Sequence, residues 1–177
     1  MPAVMPTGAI GTSTGADMFL SVRSARAGEI KGEALATDHG EEIVVNGWTW
    51  GMTQQVAAAA PTGGGGSARQ AGHRRSLRPL TVYKRLDKAT TSLMAVLGNN
   101  DSVRTAVLTM RKAGEGQQDF FKVTLTDGRV VDLDYIADQD GNVVEQVTFA
   151  FAKIEIEYKP QTSSGGRGGA SMFTIDA

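Results

Sequence analysis

The sequence has no cysteine, only two histidines and no long apolar run, and each shortage excludes a class of protein. Without cysteine the chain can form neither disulfide bonds nor thiolate metal sites, and it lacks a cysteine nucleophile. His39 and His73 supply too little imidazole for most catalytic metal centres. No apolar stretch approaches the ~20 residues that a membrane-spanning helix needs, so we expect no membrane insertion.

The net charge is also small, because 18 Lys and Arg residues stand against 19 Asp and Glu residues. This balance argues against a surface devoted to nucleic acid, and we expect no nucleic-acid partner. The 177 residues suit one domain that is large enough to bury its own core. Residues 1–16 have neither the basic nor the apolar region of a cleaved secretory signal, so we expect a flexible leader.

Apolar and polar residues alternate with a period of two over much of the chain, which predicts a mainly β domain over residues 17–161. Met18, Leu20 and Val22, for example, fall on one face of a predicted strand. Trp48 and Trp50 share a face, and we expect them to pack in the core or at its rim. Two shifts in the parity of the alternation predict a bulge or bend, at Asn46-Gly47 and at Ala152-Lys153. Two Asp-Gly pairs are typical of hairpin turns: Asp127-Gly128 and Asp140-Gly141.

One segment, residues 87–98, has the pattern of a helix, with apolar residues at Leu93, Met94 and Leu97 and a final Gly98. It is too short to be stable alone and is expected to pack against the sheet. A low-complexity stretch over residues 56–71 lies between predicted strands, so we expect a long excursion from the domain there. Residues 162–177 are predicted to be a Gly/Ser-rich C-terminal tail.

No arrangement of residues in the sequence points to catalysis, a cofactor or a metal. The clustered carboxylates from Asp132 to Asp140 lack the order and the distal glutamate of a calcium-binding EF-hand. No G-x-S-x-G motif lies on a strand-to-helix turn. We therefore predict that the protein is not an enzyme and needs no cofactor.

A basic stretch stands out in this nearly neutral chain, with seven Lys and Arg residues against one Asp between Arg69 and Lys88. We expect it to contact an acidic surface on another copy of the protein. Such a contact joins two different surfaces, so repeated contacts close into rings or continue as filaments. The acidic candidates are Glu41-Glu42, Asp132, Asp134, Asp138, Asp140, Glu155 and Glu157.

Four motifs in order along the chain resemble the haemolysin-coregulated protein (Hcp) family, the tube subunits of bacterial type VI secretion systems. They cover residues 17–161. The first is Glu41-Glu42-Ile43 followed by Trp48-Thr49-Trp50-Gly51-Met52-Thr53-Gln54, and the second is Tyr83-Lys84-Arg85-Leu86-Asp87-Lys88-Ala89-Thr90. The third is Arg111-Lys112-Ala113-Gly114 with Gln118, and the fourth is Glu145-Gln146-Val147-Thr148-Phe149 with the run from Ile154 to Gln161.

The resemblance implies a small closed β-barrel of two packed antiparallel sheets, one short flanking α-helix and a long projecting loop over residues 53–79. It also implies a homo-hexameric ring that stacks head to tail into a tube. Sheath and spike proteins and small effectors in the lumen are the implied partners. The implied localisation is cytoplasmic during assembly, followed by secretion without a signal peptide. We expect contacts between subunits or rings at Gln54, Arg69, Arg74, Arg75, Arg78, Glu41 and Glu42.

Other functions stay open at this point. A contractile-phage tail-tube protein shares the barrel, the ring and the stacking, and only the motifs favour secretion. A monomeric ligand-binding β-barrel is a second alternative, which predicts a stable monomer with a roomy interior. An enzyme would require a convergent polar cluster that the sequence does not indicate.

Overall fold

The computed structural model describes residues 15–55, 74–112, 117–160 and 169–177. Most of the predicted leader, residues 56–73 of the predicted loop and residues 161–168 lie outside these ranges. Within them the chain forms one α-helix, α1 (Ala89–Gly98), one 3-10 helix (Thr37–His39) and eleven strands. The strands are β1 (Ala16–Ser24), β2 (Gly28–Ile30), β3 (Ile43–Val44), β4 (Gly47–Thr49), β5 (Met52–Gln55), β6 (Arg74–Leu77), β7 (Leu80–Arg85), β8 (Ser102–Lys112), β9 (Asp119–Ala137), β10 (Val143–Tyr158) and β11 (Ser171–Asp176).

The strands make two antiparallel sheets of unequal size, so the domain is mainly β, as predicted. The larger sheet has nine strands in the order β2-β1-β8-β9-β10-β7-β4, with β3 paired to β1 and β11 paired to β10. The smaller sheet contains β5 and β6. The chain changes partner between β3, which pairs with β1, and β4, which pairs with β7. This change of partner confirms the bend predicted at Asn46-Gly47. The short segment from β3 to β4 thus connects β1 with β7, which lie near opposite ends of the strand order.

One hydrophobic core lies against the larger sheet. Leu20 and Val22 of β1 are fully buried there, on the face that the alternation predicted. Trp48 and Trp50 pack against the same core, which confirms their expected role. Trp48 also stacks on Phe121, with 5.7 Å between the ring centroids. The other large core residues that are fully buried are Ile43, Leu80, Val82, Leu93, Val103, Leu108, Phe149 and Ile154.

The predicted hairpin turn at Asp127-Gly128 is wrong, because β9 continues through both residues. Asp127 has the positive φ of a turn residue, 51°, within a strand that pairs with β8 on one side and β10 on the other. Gly128 is required there because a Cβ would collide with the backbone oxygen of Ala150. The second predicted turn is confirmed, since Asp140-Gly141 joins β9 to β10 and Gly141 has a φ of 81°.

β10 has two different neighbours on one side, β7 along its first half and β11 along its second, while β9 pairs with it throughout. Its buried residues occupy odd positions up to Phe149 and include the even position Ile154 further on. The buried parity changes along β10 as predicted, but the irregularity in its pairing with β9 lies between Thr148 and Phe149 and not at Ala152-Lys153. β11 lies within the segment that we predicted to be a tail, so part of that segment is a paired strand.

α1 begins at Ala89, two residues after the predicted start at Asp87. The Asp87 carboxylate accepts the Ala89 N–H at 2.9 Å, and the Thr90 hydroxyl oxygen accepts the Asp87 N–H at 3.1 Å. These two bonds cap the first turn, where backbone N–H groups have no partner within the helix. Leu93 is buried as predicted, whereas Met94 is exposed. Burial of one face therefore holds a helix that is too short to persist alone.

Candidate assembly surfaces

β5 and β6 form a two-stranded ribbon at the base of the predicted loop over residues 53–79. Met52 pairs with Leu77, and Gln54 pairs with Arg75. Because alternate residues of a strand point to the same side, these four side chains share one side, which we call the ribbon face. Gln54 and Arg75 are exposed, and Met52 is 52% exposed. The structure thus brings two predicted contact residues together beside apolar surface.

Arg78 extends the ribbon by one further pair, opposite Gly51. Its N–H donates to the Gly51 carbonyl at 2.9 Å, and its guanidinium covers Gly51 so closely that a Cβ there would collide with it. Among the described residues the Arg75 side chain makes one hydrogen bond, from Nη2 to the Asp176 carbonyl at 3.4 Å. Both arginines remain exposed. The other two predicted arginines lie outside the description, Arg69 entirely and Arg74 in its side chain.

The neighbouring carboxylates Glu41 and Glu42 have different partners. Glu41 Oε2 lies 2.5 Å from Lys31 Nζ at the surface. The hydrogen bond from Lys31 lowers the pKa of Glu41, and the same bond raises the pKa of Lys31. Glu42 Oε2 lies 3.1 Å from His39 Nδ1. Both predicted acidic contact residues therefore already have a partner in their own chain.

His39 is the centre of a buried polar cluster that the sequence did not reveal. Its Nε2 lies 3.1 Å from Asp119 Oδ1, while Nδ1 faces Glu42 on the other side. The imidazole stacks on Phe19 with 4.4 Å between centroids, and the Arg111 guanidinium lies 5.0 Å from the centroid of the same phenyl ring. The cluster joins the 3-10 helix to β1, β8 and β9. One feature of the sequence could have indicated this cluster. Two of its members, Glu42 and Arg111, belong to separate motifs of the resemblance.

A second buried polar cluster lies beneath the first turn of α1. Lys84 and Glu145 are fully buried, with 2.5 Å between Nζ and Oε2. Lys84 Nζ also lies 2.8 Å from Asp87 Oδ1 and donates to Thr90 Oγ1 at 3.2 Å. The Thr90 hydroxyl donates to Glu145 Oε2 at 2.8 Å, and the Tyr135 hydroxyl donates to Glu145 Oε1 at 3.1 Å. The three-residue spacing of Lys84, Asp87 and Thr90 in the second motif is the sign that could have indicated this cluster.

The cluster also changes the acidity of a tyrosine. Burial, together with the negative charge of Glu145, raises the pKa of Tyr135 to about 12. The phenol therefore stays protonated and able to donate its hydrogen bond at any physiological pH.

The other acidic candidates, on β9, its turn and β10, differ in whether their carboxylates have partners among the described residues. Asp132 and Asp134 are exposed on β9, and neither has an ion-pair partner among the described residues. Glu157 instead lies 3.0 Å from Lys159. Asp138 accepts hydrogen bonds inside its own turn, and these bonds lower its pKa. Asp132 and Asp134 thus form an acidic surface that no described residue of the chain neutralises.

In the four described ranges, no three His, Cys, Asp or Glu side chains come close enough together to hold a metal ion. No helix in the same ranges is long and apolar enough to cross a membrane.

Comparison with known proteins gives one consistent family. Residues 19–158 match the model of the family described as "Type VI secretion system effector, Hcp". The chain is 33% identical over 158 residues to protein hcp1 of Pseudomonas aeruginosa, covering 88% of this chain and 91% of that protein. A structure of a type six secretion system protein superposes with a TM-score of 0.77 at 21% identity, covering 91% of this chain and 95% of the other. Hcp1 of Salmonella typhimurium has a TM-score of 0.68 at 25% identity, covering 92% and 95%.

Proposed function

This chain belongs to the Hcp family of type VI secretion system proteins, and we propose that it is a structural subunit of the inner tube of such a system. Six copies form a ring, rings stack head to tail, and the tube carries or chaperones small effector proteins in its lumen. The observation that carries the proposal is the family match over residues 19–158, which spans nearly all of the β domain.

The chemistry of the fold supports a structural role rather than catalysis. The charged groups of both buried clusters face one another inside the chain, around His39 and around Lys84. Both clusters connect elements that are distant in the sequence, so their effect is to hold the domain in one arrangement. Large apolar side chains such as Phe149 and Leu108 are buried in the interior, which favours the tube subunit over a monomeric ligand-binding barrel.

Contacts between copies use the surface that the chain leaves open. Basic side chains on and beside the ribbon of one copy meet acidic side chains of another. The residues concerned are Gln54, Arg69, Arg74, Arg75 and Arg78 on the basic side and Glu41 and Glu42 among the acidic ones. Glu41 and Glu42 can still take part, because a carboxylate accepts several hydrogen bonds and one partner does not saturate it.

The tube works with the sheath and spike proteins of the secretion machine. It assembles in the cytoplasm and leaves the cell through that machine, without the use of a signal peptide.

Light scattering of the purified protein, with negative-stain images of the same sample, tests the ring. We expect a mass of six subunits or its multiples, and ring-shaped particles with six-fold symmetry. A monomer at every concentration would contradict the proposal and favour the ligand-binding barrel. Export separates a secretion tube from a contractile-phage tail tube, which forms similar rings. The protein should enter the medium of its source cells only when their type VI sheath is intact.

A further inference from the structure

The ribbon face combines one positive charge with apolar surface. Arg75 and Gln54 are exposed at one end of this face, and Met52 and the half-buried Leu77 lie at the other. Among the described residues Arg75 has no carboxylate partner, since its one contact is the long bond to the Asp176 carbonyl. The guanidinium has five N–H donors, so most of its bonding capacity is unused.

The second half of β9 has the complementary combination. Asp132, Asp134 and Ile136 alternate along the strand and therefore lie on one side of the sheet, which we call the acidic sheet face. Both aspartates are exposed, and Ile136 is 66% exposed. Their partners across β10 on this side are the neutral Thr148 and Gln146. This part of the sheet thus has an unpaired negative charge next to an exposed aliphatic side chain.

The two faces match in spacing as well as in charge. In each strand a charged residue is followed two positions later by an apolar one, Arg75 by Leu77 and Asp134 by Ile136. Two positions along a strand span about 6.7 Å in both. One alignment can therefore place Arg75 against Asp134 while the apolar side chains cover Ile136.

From this match we propose that the acidic sheet face of one copy receives the ribbon face of a second copy. The occupant is a second copy because Arg75 reaches Asp176, and not β9, within its own chain. Two complementary faces that do not meet within one chain make a head-to-tail contact. The inference rests on the proposed function and names the partner surface for its basic ribbon. It also assigns a partner to Arg75 itself, because Asp134 has no ion-pair partner among the described residues, whereas Glu41, Glu42 and Glu157 each have one.

Two single charge reversals, Arg75→Asp and Asp134→Arg, test the contact. Each replaces an attraction by a repulsion at every copy of the contact. The measurement is the protein concentration at which the largest assembly of the unmodified protein comes apart, followed by sedimentation velocity and light scattering. We expect each variant to raise that concentration about tenfold or more, and the difference to shrink in high salt.

Mixing the two variants is the decisive step. In an equal mixture, the aspartate introduced into the ribbon of one variant can meet the arginine introduced into β9 of the other, and the remaining pair of faces is unmodified. We expect the mixture to assemble at nearly the unmodified concentration although neither variant does so alone. Arg104→Asp and Glu33→Arg reverse exposed charges of the same type elsewhere, and neither should change assembly. Circular dichroism of each variant establishes that it is folded.

The outcomes separate the two proposals. If the unmodified protein assembles and both reversals leave its assembly unchanged, the contact is wrong while the tube function stands. Weakened variants that do not rescue each other in the mixture also overturn the contact. An unmodified protein that is monomeric at every concentration overturns both.

Discussion

Replacing Lys84 by methionine tests whether the buried cluster beneath α1 depends on its single cation. Methionine keeps an unbranched apolar side chain, so the change removes the charge with little loss of packing. It leaves the fully buried Glu145 carboxylate and the neighbouring Asp87 without a cation. Removing one partner of a buried pair usually costs about 3–5 kcal/mol of folding free energy. Because Thr90 and Tyr135 still donate to Glu145, we expect the lower end, about 3 kcal/mol.

The matched variants distinguish the charge from the packing. Glu145→Gln alone leaves Lys84 2.8 Å from Asp87, so we expect a smaller loss of about 1–2 kcal/mol. The double variant with Lys84→Met contains no buried pair to break, and it should be more stable than Lys84→Met alone. A double-mutant cycle should then give an interaction energy of about 2 kcal/mol.

Urea unfolding followed by tryptophan fluorescence measures these free energies. Protein concentration must be the same for all variants, because association of folded subunits adds to apparent stability. If Lys84→Met cost less than about 1 kcal/mol, the carboxylate of Glu145 would not depend on its cation. If the two single losses simply added, the two charges would not act as a pair.

Two further predictions concern the sheet. Burial and Glu145 raise the pKa of Tyr135 from its ordinary value of 10.0 to about 12 in the folded state. The unfolded chain therefore loses this proton first, and the folded form loses stability as the pH rises from 10 to 12. Urea unfolding across this range should show a smaller loss for Tyr135→Phe, and an unchanged loss would contradict the assignment. Gly128→Ala should cost about 1–3 kcal/mol, because its Cβ would collide with a backbone oxygen of β10. Thermal unfolding measures this loss, with Gly98→Ala as the control that should be neutral, because nothing lies within 4 Å of its added Cβ. Equal effects at both positions would refute the steric explanation.

The sequence predicted the strands well where one face is buried, because burial imposes the alternation. The bend at Asn46-Gly47 was visible as a change of parity for the same reason. The change of parity in β10 was also visible, but it predicted the irregularity at Ala152-Lys153, a few residues beyond the register shift between Thr148 and Phe149. The prediction of a turn at Asp127-Gly128 was wrong because the same two residue types suit a hairpin turn and an irregularity within a strand. Both need a residue with positive φ beside glycine. Pairing with β8 and β10 on either side decides that the strand continues, and that pairing is not local.

The buried polar clusters could not be predicted from hydropathy. Lys84 is fully buried although lysine is among the residues least often found inside proteins. Its burial depends on Glu145, which is 61 positions away and becomes a neighbour only through the pairing of β7 with β10. His39 depends in the same way on Asp119, 80 positions away. Spacing within a motif can indicate Lys84, Asp87 and Thr90 as a group, but not the partner on another strand.

The structure gives the motifs of the resemblance a physical meaning that separates fold from assembly. Six of the motif residues lie in the two buried clusters, where they contact partners in their own chain. They are Glu42 and Arg111 around His39, and Lys84, Asp87, Thr90 and Glu145 beneath α1. Arg75 and Asp134, the two charges of the proposed contact, lie outside the quoted motifs. The motifs therefore identify the domain more directly than they identify how copies meet. It follows that Lys84→Met should lower the stability of the domain, whereas reversing Arg75 or Asp134 should alter assembly while leaving the stability of the domain unchanged.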